Sequence, residues 1–274
     1  MFILEKIKQE GLRRRLSPRT IKTYCFCVNK FLKVCRKELK LITKKDVEDY
    51  LMRMINREKA GNTINVHLNA LKFLFEKVLK RNLTVNIPFS KVPQRLPEFL
   101  TKEETSKLFQ AIGNSNHQLM IKLLYATGMR VSELVSLKVK DFQFDQNYGW
   151  VREGKGQKDR LFIIAEKLKN ELLNWIKKEG LSNPDWLFSG NNNSHYSTAS
   201  VRSIIKQAAK KAGIKKNVHP HTLRHSFATH LIQNGYAVTE VQPLLGHNKM
   251  ETTMMYLHLA SPQLLKVKSP YDHL

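Results

Sequence analysis

The chain has 274 residues, of which 42% are hydrophobic, so it can bury the core of one large domain or two modest ones without disulfide or metal support. Lysine and arginine outnumber aspartate and glutamate by 47 to 23, and this formal charge of +24 argues against an enzyme of small neutral metabolites and favours nucleic acid as the partner. The three cysteines lack zinc-finger spacing, and we find neither a signal peptide nor an apolar run of membrane-spanning length, so we expect a cytoplasmic, nucleoid-associated protein without a membrane partner.

The first ninety residues predict helices only. Ser17 and Pro18 form an N-cap and a favoured first-turn proline, Thr43 opens a second helix, and apolar residues at helical spacing predict a third over residues 62–79. Three prolines then fall between residues 87 and 97, where no ordinary helix can continue. We therefore predict a helical domain over residues 1–86, a linker over 87–98 and a second domain over 99–274.

The second domain is predicted to mix helices with a small sheet. A capping box at Thr101 starts a helix through Ile112. Strand patterns at residues 141–145, 149–152 and 160–164 predict three antiparallel strands, the last two joined by a turn-rich hairpin that carries Lys155 at its tip. Helices are expected again at residues 170–178, 198–212, 222–234, 239–245 and 251–259. The fold class is thus mainly α, of the α+β kind.

Residues able to bind an anion recur along this domain. His221 and Arg224 lie three positions apart, on one face of a helix, so both can reach the same phosphate. Arg130 enters a helix after Gly128, where a guanidinium can bind phosphate, although Arg130 and Glu133 could equally form an ordinary helical ion pair. Alone, each residue has a plain alternative: a solvated turn lysine, an idle histidine or a packed tyrosine.

The order of these motifs is more specific than any one of them. In chain order the motifs are Arg130-Val131-Ser132-Glu133-Leu134, Gly154-Lys155-Gly156, His221-Thr222-Leu223-Arg224-His225, Leu245-Gly246-His247 and Tyr256. Together they resemble the tyrosine recombinases over residues 100–259, most closely the Xer-like and integron-integrase branches. Residues 1–90 resemble that family's helical DNA-clamping domain.

The resemblance implies a site-specific recombinase that cuts and rejoins DNA strands through a covalent 3′-phosphotyrosyl intermediate. It assigns Tyr256 as the nucleophile and five further active-site positions: Arg130, Lys155, His221, Arg224 and His247. Two arginines can neutralise the charge of the pentacoordinate transition state, so we expect neither a metal ion nor another cofactor, and the retained bond energy makes ATP unnecessary.

Roles for the remaining residues follow from the same resemblance. His221 is expected to act as general base or hydrogen-bond partner, His247 to donate to a non-bridging oxygen, and Lys155 to protonate the leaving 5′-oxygen. Glu133 is expected to orient Arg130, and His225 to occupy a buried, supporting position. A zinc site at His221 and His225 is rejected because no glutamate or cysteine accompanies them with zinc-ligand spacing.

Double-stranded DNA with a specific site is the predicted partner, held between the two domains by a tetramer of this chain that is monomeric or dimeric when free. A second recombinase or an accessory protein could take part, and Leu264, Leu265 and Val267 could contact a neighbouring protomer or pack on their own. The expected DNA contacts are Lys72, Lys77, Arg202 and Lys206. Alternatives are a transposon or phage-type integrase, a catalytically inactive DNA-binding regulator, a type I topoisomerase, or charge that merely solvates the surface.

Overall fold

The computed structural model describes residues 2–84, 86–93, 96–152, 159–190, 194–246 and 251–259, and only the backbone of residues 251, 258 and 259. The chain divides into two compact units, Met1–Arg95 and Leu96–Leu274. Each unit is described by itself below. In the described part of the chain, no helix is both long and apolar enough to cross a membrane.

The described residues of unit 1 form four α-helices around an apolar core. Its core includes Phe31, Leu68 and Phe75, which are fully buried or nearly so. Ser17 accepts a hydrogen bond from the backbone of Thr20 at the predicted N-cap. The helices are α1 (Phe2–Arg13), α2 (Pro18–Cys35), α3 (Lys44–Asn56) and α4 (Gly61–Lys72), of which α1 was not predicted.

The helix predicted over residues 62–79 changes its geometry midway. After α4, residues Phe73–Val78 form π-helical turns, and the amide of Leu79 donates to the carbonyl of Leu74, five residues back. Three consecutive side chains, Phe73 to Phe75, are buried here. An α-helix presents only a stripe of its surface to a core, so the wider turn lets adjacent residues share the buried face.

Unit 2 is mainly helical, with one three-stranded antiparallel sheet in the order β1-β2-β3, as predicted. The strands are β1 (Phe142–Gln143), β2 (Tyr148–Val151) and β3 (Arg160–Ile163), with Val151 opposite Arg160. The helices are α5 (Lys102–Gln110), α6 (Ser115–Thr127), α7 (Val131–Val135), α8 (Glu166–Lys178), α9 (Thr198–Lys211), α10 (Pro220–Gln233), α11 (Val238–Leu245) and α12 (Glu251–Leu259).

The first strand is shorter than its sequence pattern indicates. The pattern predicts a strand over residues 141–145, whereas β1 has two residues and 3₁₀ turns flank it on both sides. Asp141 accounts for the early turn, because its buried carboxylate accepts hydrogen bonds from the amide of Lys138 at 2.9 Å and from Nε of Arg152 at 3.3 Å. A carboxylate held in this way fixes a turn and leaves less of the chain to pair as a strand.

Helix α10 occupies the centre of unit 2. Leu223 contributes to the main core, whereas Ala228 and Ile232 contribute to a smaller core shared with α11 and α12. The helix packs against α6, α9, α11 and α12. Ser226, on α10, accepts a hydrogen bond from the amide of Leu100 at 2.8 Å, which fixes the start of the unit to this helix. Side chains on α10 therefore meet residues from both ends of the unit.

Candidate active site

A left-handed turn positions Arg130. Helix α6 ends at Gly128, whose φ is +59°, and the chain then enters α7 with Arg130 as its N-cap. The glycine also has no room for a side chain, because a Cβ there would overlap the ring of Phe227. A residue other than glycine would be strained in both respects. The turn directs Arg130 towards α10 and α11.

Glu133 holds Arg130 at two points. Its Oε1 accepts from Nη1 of Arg130 at 2.7 Å, and its Oε2 accepts from the backbone amide of Arg130 at 2.7 Å. Glu133 is 6% exposed, so these are interactions of a buried carboxylate. A second arginine, Arg160 of β3, donates from Nη2 to the same Oε2 at 2.6 Å. One carboxylate thus joins two guanidinium groups.

Arg224 is the most buried arginine of the site. It is 3% exposed, and it donates from Nη1 to the carbonyl of Gly128 at 2.8 Å and from Nη2 to the carbonyl of Leu245. Burial, with the nearby Arg130 charge, lowers the pKa of Arg224 to about 10, so its guanidinium remains charged at neutral pH. The two carbonyls fix the orientation of this charge.

The turn after α11 is where the arginines converge. Gly246 ends α11 in the left-handed conformation, with φ +60°. Its carbonyl lies 3.5 Å from Nη2 of Arg130, and a Cβ on it would lie 2.7 Å from Cδ of Arg160. Because Arg224 binds the adjoining Leu245 carbonyl, three guanidinium groups surround one turn.

Three histidines line the start of α10. His219 is its N-cap, and ring centroids lie 6.2 Å apart for His219 and His221 and 6.4 Å apart for His221 and His225. Burial first, and then the Arg224 charge, lowers the pKa of His221. Burial, with the neighbouring His221, lowers the pKa of His225 to about 4. In the described ranges, no three His, Cys, Asp or Glu side chains are grouped so as to hold a metal ion.

Tyr256, on α12, lies within the smaller core of unit 2 and is 1% exposed. Its hydroxyl is 2.9 Å from Nδ1 of His225. Burial raises the pKa of Tyr256 to about 12, and the positive charge of Arg224 partly opposes this rise. Both partners of the bond are therefore uncharged at neutral pH, and the imidazole nitrogen can accept a hydrogen bond from the hydroxyl.

The structure brings together five of the residues predicted for the site, and two others lie outside the described residues. The five are Arg130, Glu133, Arg224, His225 and Tyr256, and His221 lies beside His225 on the same helix. Lys155 and His247 lie outside the described residues, as do Leu264, Leu265 and Val267.

The residues predicted to contact DNA belong to both units. In unit 1, Lys77 is exposed, and Lys72 is half-buried with its Nζ 4.7 Å from the centre of the Phe89 ring. In unit 2, Arg202 and Lys206 are exposed and four residues apart on α9. Arg202 is near enough to α10 to contribute to the lowered pKa of His221.

Sequence reasoning did not single out Arg160 or His219. The sequence pattern places Arg160 in a strand and predicts no further role, although an arginine that opens the otherwise apolar run Leu161-Phe162-Ile163 is a signal that its head group has a partner. His219 precedes Pro220, and a histidine before a first-turn proline is a weak cap signal. The partner of Arg160, Glu133, lies 27 residues away and could not be inferred from spacing.

Comparison with known proteins covers both units. Residues 3–85 match the phage integrase N-terminal SAM-like domain, and residues 98–262 match the phage integrase family. A tyrosine recombinase of Thermosipho africanus (strain TCF52B) is 36% identical over 263 residues, which is 91% of this chain and 92% of that protein. Tyrosine recombinase XerA of Pyrococcus furiosus is 36% identical over 255 residues, covering 90% and 86% of the two chains.

A solved structure extends the likeness to the fold. The crystal structure of XerH site-specific recombinase bound to palindromic difH substrate, a post-cleavage complex, superposes with a TM-score of 0.76 at 26% identity. The match covers 94% of this chain and 82% of that one. Both units are therefore present in one relative whose structure includes DNA.

Proposed function

The chain belongs to the phage integrase family of tyrosine recombinases and is a site-specific DNA recombinase, and from this premise we propose that Tyr256 is its nucleophile and that Arg130 and Arg224 bind the scissile phosphate. The observation that carries the proposal is the meeting of these groups at one place. Arg130 and Arg224 both contact the Leu245–Gly246 turn, and Leu245 shares a buried cluster with Tyr256. Two fixed guanidinium groups beside a tyrosine hydroxyl suit an attack on a phosphodiester.

The proposed cleavage forms one bond and breaks another at the same phosphorus. The Tyr256 oxygen bonds to phosphorus while the bond to the 5′-oxygen breaks, which leaves a 3′-phosphotyrosyl link and a free 5′-hydroxyl. The phenolic proton must pass to a base and the 5′-oxygen must gain a proton. We assign the second task to Lys155, and rejoining reverses both transfers.

A histidine is the proposed acceptor of the phenolic proton. A pKa of about 12 makes the buried phenol a poor nucleophile unless its proton is removed as the bond forms. His225 contacts the buried hydroxyl, but a pKa of about 4 makes it a weak base, so we assign the proton to His221. His221, the base expected from the family resemblance, lies one helical turn before His225 and nearer the N-terminus of α10. His247 is proposed to donate to a non-bridging oxygen.

Tyr256 must leave its pocket before it can react. At 1% exposure its hydroxyl is closed to a duplex, and the residue belongs to the buried cluster that includes Ala228, Val241 and Leu245. We propose that α12 shifts when DNA binds and carries the hydroxyl to the phosphate between Arg130 and Arg224. The bond to His225 breaks in the same movement.

The proposed substrate is duplex DNA with a defined recombination site, acted on by four copies of the chain in the cytoplasm, at the nucleoid. The net charge of +24 supplies affinity for the phosphate backbone, and the exposed Lys77, Arg202 and Lys206 with the half-buried Lys72 are proposed contacts. The XerH relative was solved on a palindromic site. A palindrome suits two copies related by a twofold axis, so two sites in synapsis suit a tetramer.

Trapping the covalent intermediate tests this proposal. A binding site is first selected from a random duplex pool, and the selected duplex is then nicked near its centre, so that the cleaved strand loses its 5′-hydroxyl end and cannot be rejoined. We expect wild-type protein to form an adduct that survives a denaturing gel. Tyr256→Phe should form none, because the phenyl ring has no nucleophilic oxygen.

A matched control uses a tyrosine outside the site. Tyr236 is 52% exposed, and Tyr236→Phe should form the adduct at the wild-type rate. An adduct that persists in Tyr256→Phe would overturn the nucleophile assignment. Wild-type protein that binds the selected duplex but never becomes linked to it would overturn the proposed cleavage chemistry.

A further inference from the structure

Arg160 is a buried arginine whose hydrogen bonds are incomplete. Its side chain is 9% exposed, and it donates from Nη2 to Oε2 of Glu133 at 2.6 Å. Its Nε and Nη1 are also buried, yet they have no hydrogen-bond partner among the described residues. Buried guanidinium donors are seldom left in this state, because each unmade bond costs stability. The position therefore needs an explanation beyond packing.

The charge balance around Glu133 provides one part of that explanation. Arg130 and Glu133 form a close ion pair, and by themselves the two charges cancel. Such a neutral pair would attract a phosphate only weakly, and its carboxylate would repel it. Arg160 adds a second positive charge on the other oxygen of Glu133, so the three groups together carry a net positive charge. Arg130 can then hold its carboxylate and still attract an anion.

The geometry around Oε2 provides the second part. This oxygen accepts from both the Arg130 amide and Arg160, and the other carboxylate oxygen accepts from the Arg130 guanidinium. A carboxylate bound on both oxygens from two sides cannot rotate freely. Because the Arg130 guanidinium is bound to that carboxylate, fixing Glu133 also fixes Arg130.

The turn at Gly246 provides the third part. The stem of Arg160 lies where a Cβ on Gly246 would be, 2.7 Å from Cδ and 3.0 Å from Nε. The same turn presents the Gly246 carbonyl towards Nη2 of Arg130 at 3.5 Å and the Leu245 carbonyl to Arg224. Arg160 thus supports the turn to which both proposed phosphate-binding arginines are attached.

We propose that Arg160 is a positioning residue for strand cleavage: through Glu133 and the Gly246 turn it holds Arg130 in the orientation that binds the scissile phosphate. The inference rests on the proposed function, since it assumes that Arg130 binds that phosphate. By this proposal β3 does more than pair with β2, because it also carries the residue that positions Arg130. Arg160 acts through Arg130, so its removal should slow cleavage without weakening the hold of the protein on intact DNA.

Arg152, the residue directly after β2, provides a matched control. It too pairs with a buried carboxylate, Asp141, through Nε at 3.3 Å, and Asp141 is 7% exposed in its side chain. Unlike Arg160, Arg152 is 55% exposed in its side chain. Its partner Asp141 also accepts a hydrogen bond from the Lys138 amide, whereas Glu133, the partner of Arg160, binds Arg130. Arg152→Gln should therefore cleave at the wild-type rate.

The experiment measures cleavage and binding separately on the full chain. The selected, nicked duplex is mixed with saturating protein, and the rate of adduct formation is followed in a single turnover, while Kd is measured on the intact duplex at the same ionic strength. Arg160→Gln should slow adduct formation by about 10- to 100-fold, the usual effect of removing a residue that orients an active-site group. Kd should stay within about threefold, since backbone contacts elsewhere dominate affinity. Arg160→Lys should recover part of the rate, because an ammonium can still pair with Glu133.

A double variant tests whether the effect passes through Arg130. If it does, the double variant should cleave only slightly more slowly than Arg130→Lys alone, because the guanidinium that Arg160 positions has already been removed. The inference would be overturned if Arg160→Gln cleaved at the wild-type rate, or if the rate losses of the two single variants multiplied in the double variant. It would also be overturned if the slower cleavage were accompanied by a comparable rise in Kd and a lower melting temperature, since these would indicate a general structural defect. If wild-type protein forms no adduct, the proposed function itself fails, and that result is seen before any variant is compared.

Discussion

At the scale of single residues, the contact between His225 and Tyr256 joins two groups that burial keeps uncharged. A pKa of about 4 for His225 and of about 12 for Tyr256 leave a wide range of pH in which neither ionises. Within that range the 2.9 Å bond needs no countercharge. The pair therefore contributes to folding and, once α12 moves, leaves a neutral imidazole facing the site.

The depressed pKa of His225 predicts how stability depends on pH. Folding favours the neutral imidazole, so the stability that this residue contributes is present above its ordinary pKa of 6.5 and is lost as the pH falls from there through about 4. His225→Gln should therefore lower the melting temperature more at pH 7.5 than at pH 5. Melting curves of both proteins at several pH values measure this, and a difference independent of pH would contradict it.

Some residues of the site could be found in the sequence because their partners are near in the chain. Arg130 and Glu133 are three apart, as are His221 and Arg224, and helical periodicity brings such residues together. The contact from Arg160 to Glu133 and that from His225 to Tyr256 span 27 and 31 residues. Only the tertiary fold determines such contacts, so sequence spacing did not predict either one.

At the scale of secondary-structure elements, helix ends determine where the charged groups lie. Gly128 ends α6, and its carbonyl accepts a hydrogen bond from Arg224. The carbonyl of Leu245, at the end of α11, accepts a second hydrogen bond from the same arginine. The last carbonyls of a helix have no partner within it, so they are ready acceptors for a buried cation. Two helix C-termini therefore hold Arg224 in a buried position.

Gly128→Ala should destabilise the protein by about 2 kcal/mol or more, since the left-handed conformation costs roughly 1–2 kcal/mol for an L-residue and the new Cβ would displace Phe227. Gly180→Ala is the matched control, because Gly180 has φ +62° and no atom within 4 Å of its would-be Cβ. Urea unfolding should show a clearly larger loss for Gly128→Ala. Equal losses would mean that Phe227 adapts freely.

Element starts were easier to predict than element interiors. Thr43 and Thr101 cap α3 and α5 through side-chain bonds that their sequence patterns indicate. The switch to π-helical turns at Phe73 and the early end of β1 depend on burial instead. Neither α1 nor the start of α8, which begins at Glu166 and not near residue 170, followed from local pattern.

At the scale of the whole molecule, composition indicated the partner and prolines indicated the division of the chain. The structure divides at Arg95–Leu96, within the stretch 87–98 that we propose as a linker between domains. Ser90 is bound to Asn65 by two hydrogen bonds, and Leu100 is bound to Ser226. The first half of the proposed linker and the residues just after it are therefore each attached to their own unit, which a count of prolines does not reveal.

The charge of the molecule predicts a steep dependence of DNA binding on salt. In a plot of the logarithm of the association constant against the logarithm of the salt concentration, the slope should be about −0.9 for each phosphate that the protein neutralises. Arg202→Gln and Lys206→Gln should each reduce this slope by about one. Lys122→Gln is the control, since Lys122 is already paired with Glu171 at 2.9 Å and should leave the slope unchanged. If the slope is unchanged in Arg202→Gln or in Lys206→Gln, that residue does not contact a DNA phosphate.

The burial of Tyr256 has a consequence for accuracy. If opening the pocket costs about 2.7 kcal/mol of free energy, only roughly one molecule in a hundred presents the hydroxyl at any moment. The rate at which a bound duplex is cleaved is then reduced by about the same factor of 100. A sequence that binds the open form more tightly raises the fraction, whereas one that is merely bound does not. DNA sequences are then distinguished at two steps: by how much of each sequence is bound, and by the fraction of bound protein in which Tyr256 is exposed. A wrong sequence can therefore be bound and still not be cleaved.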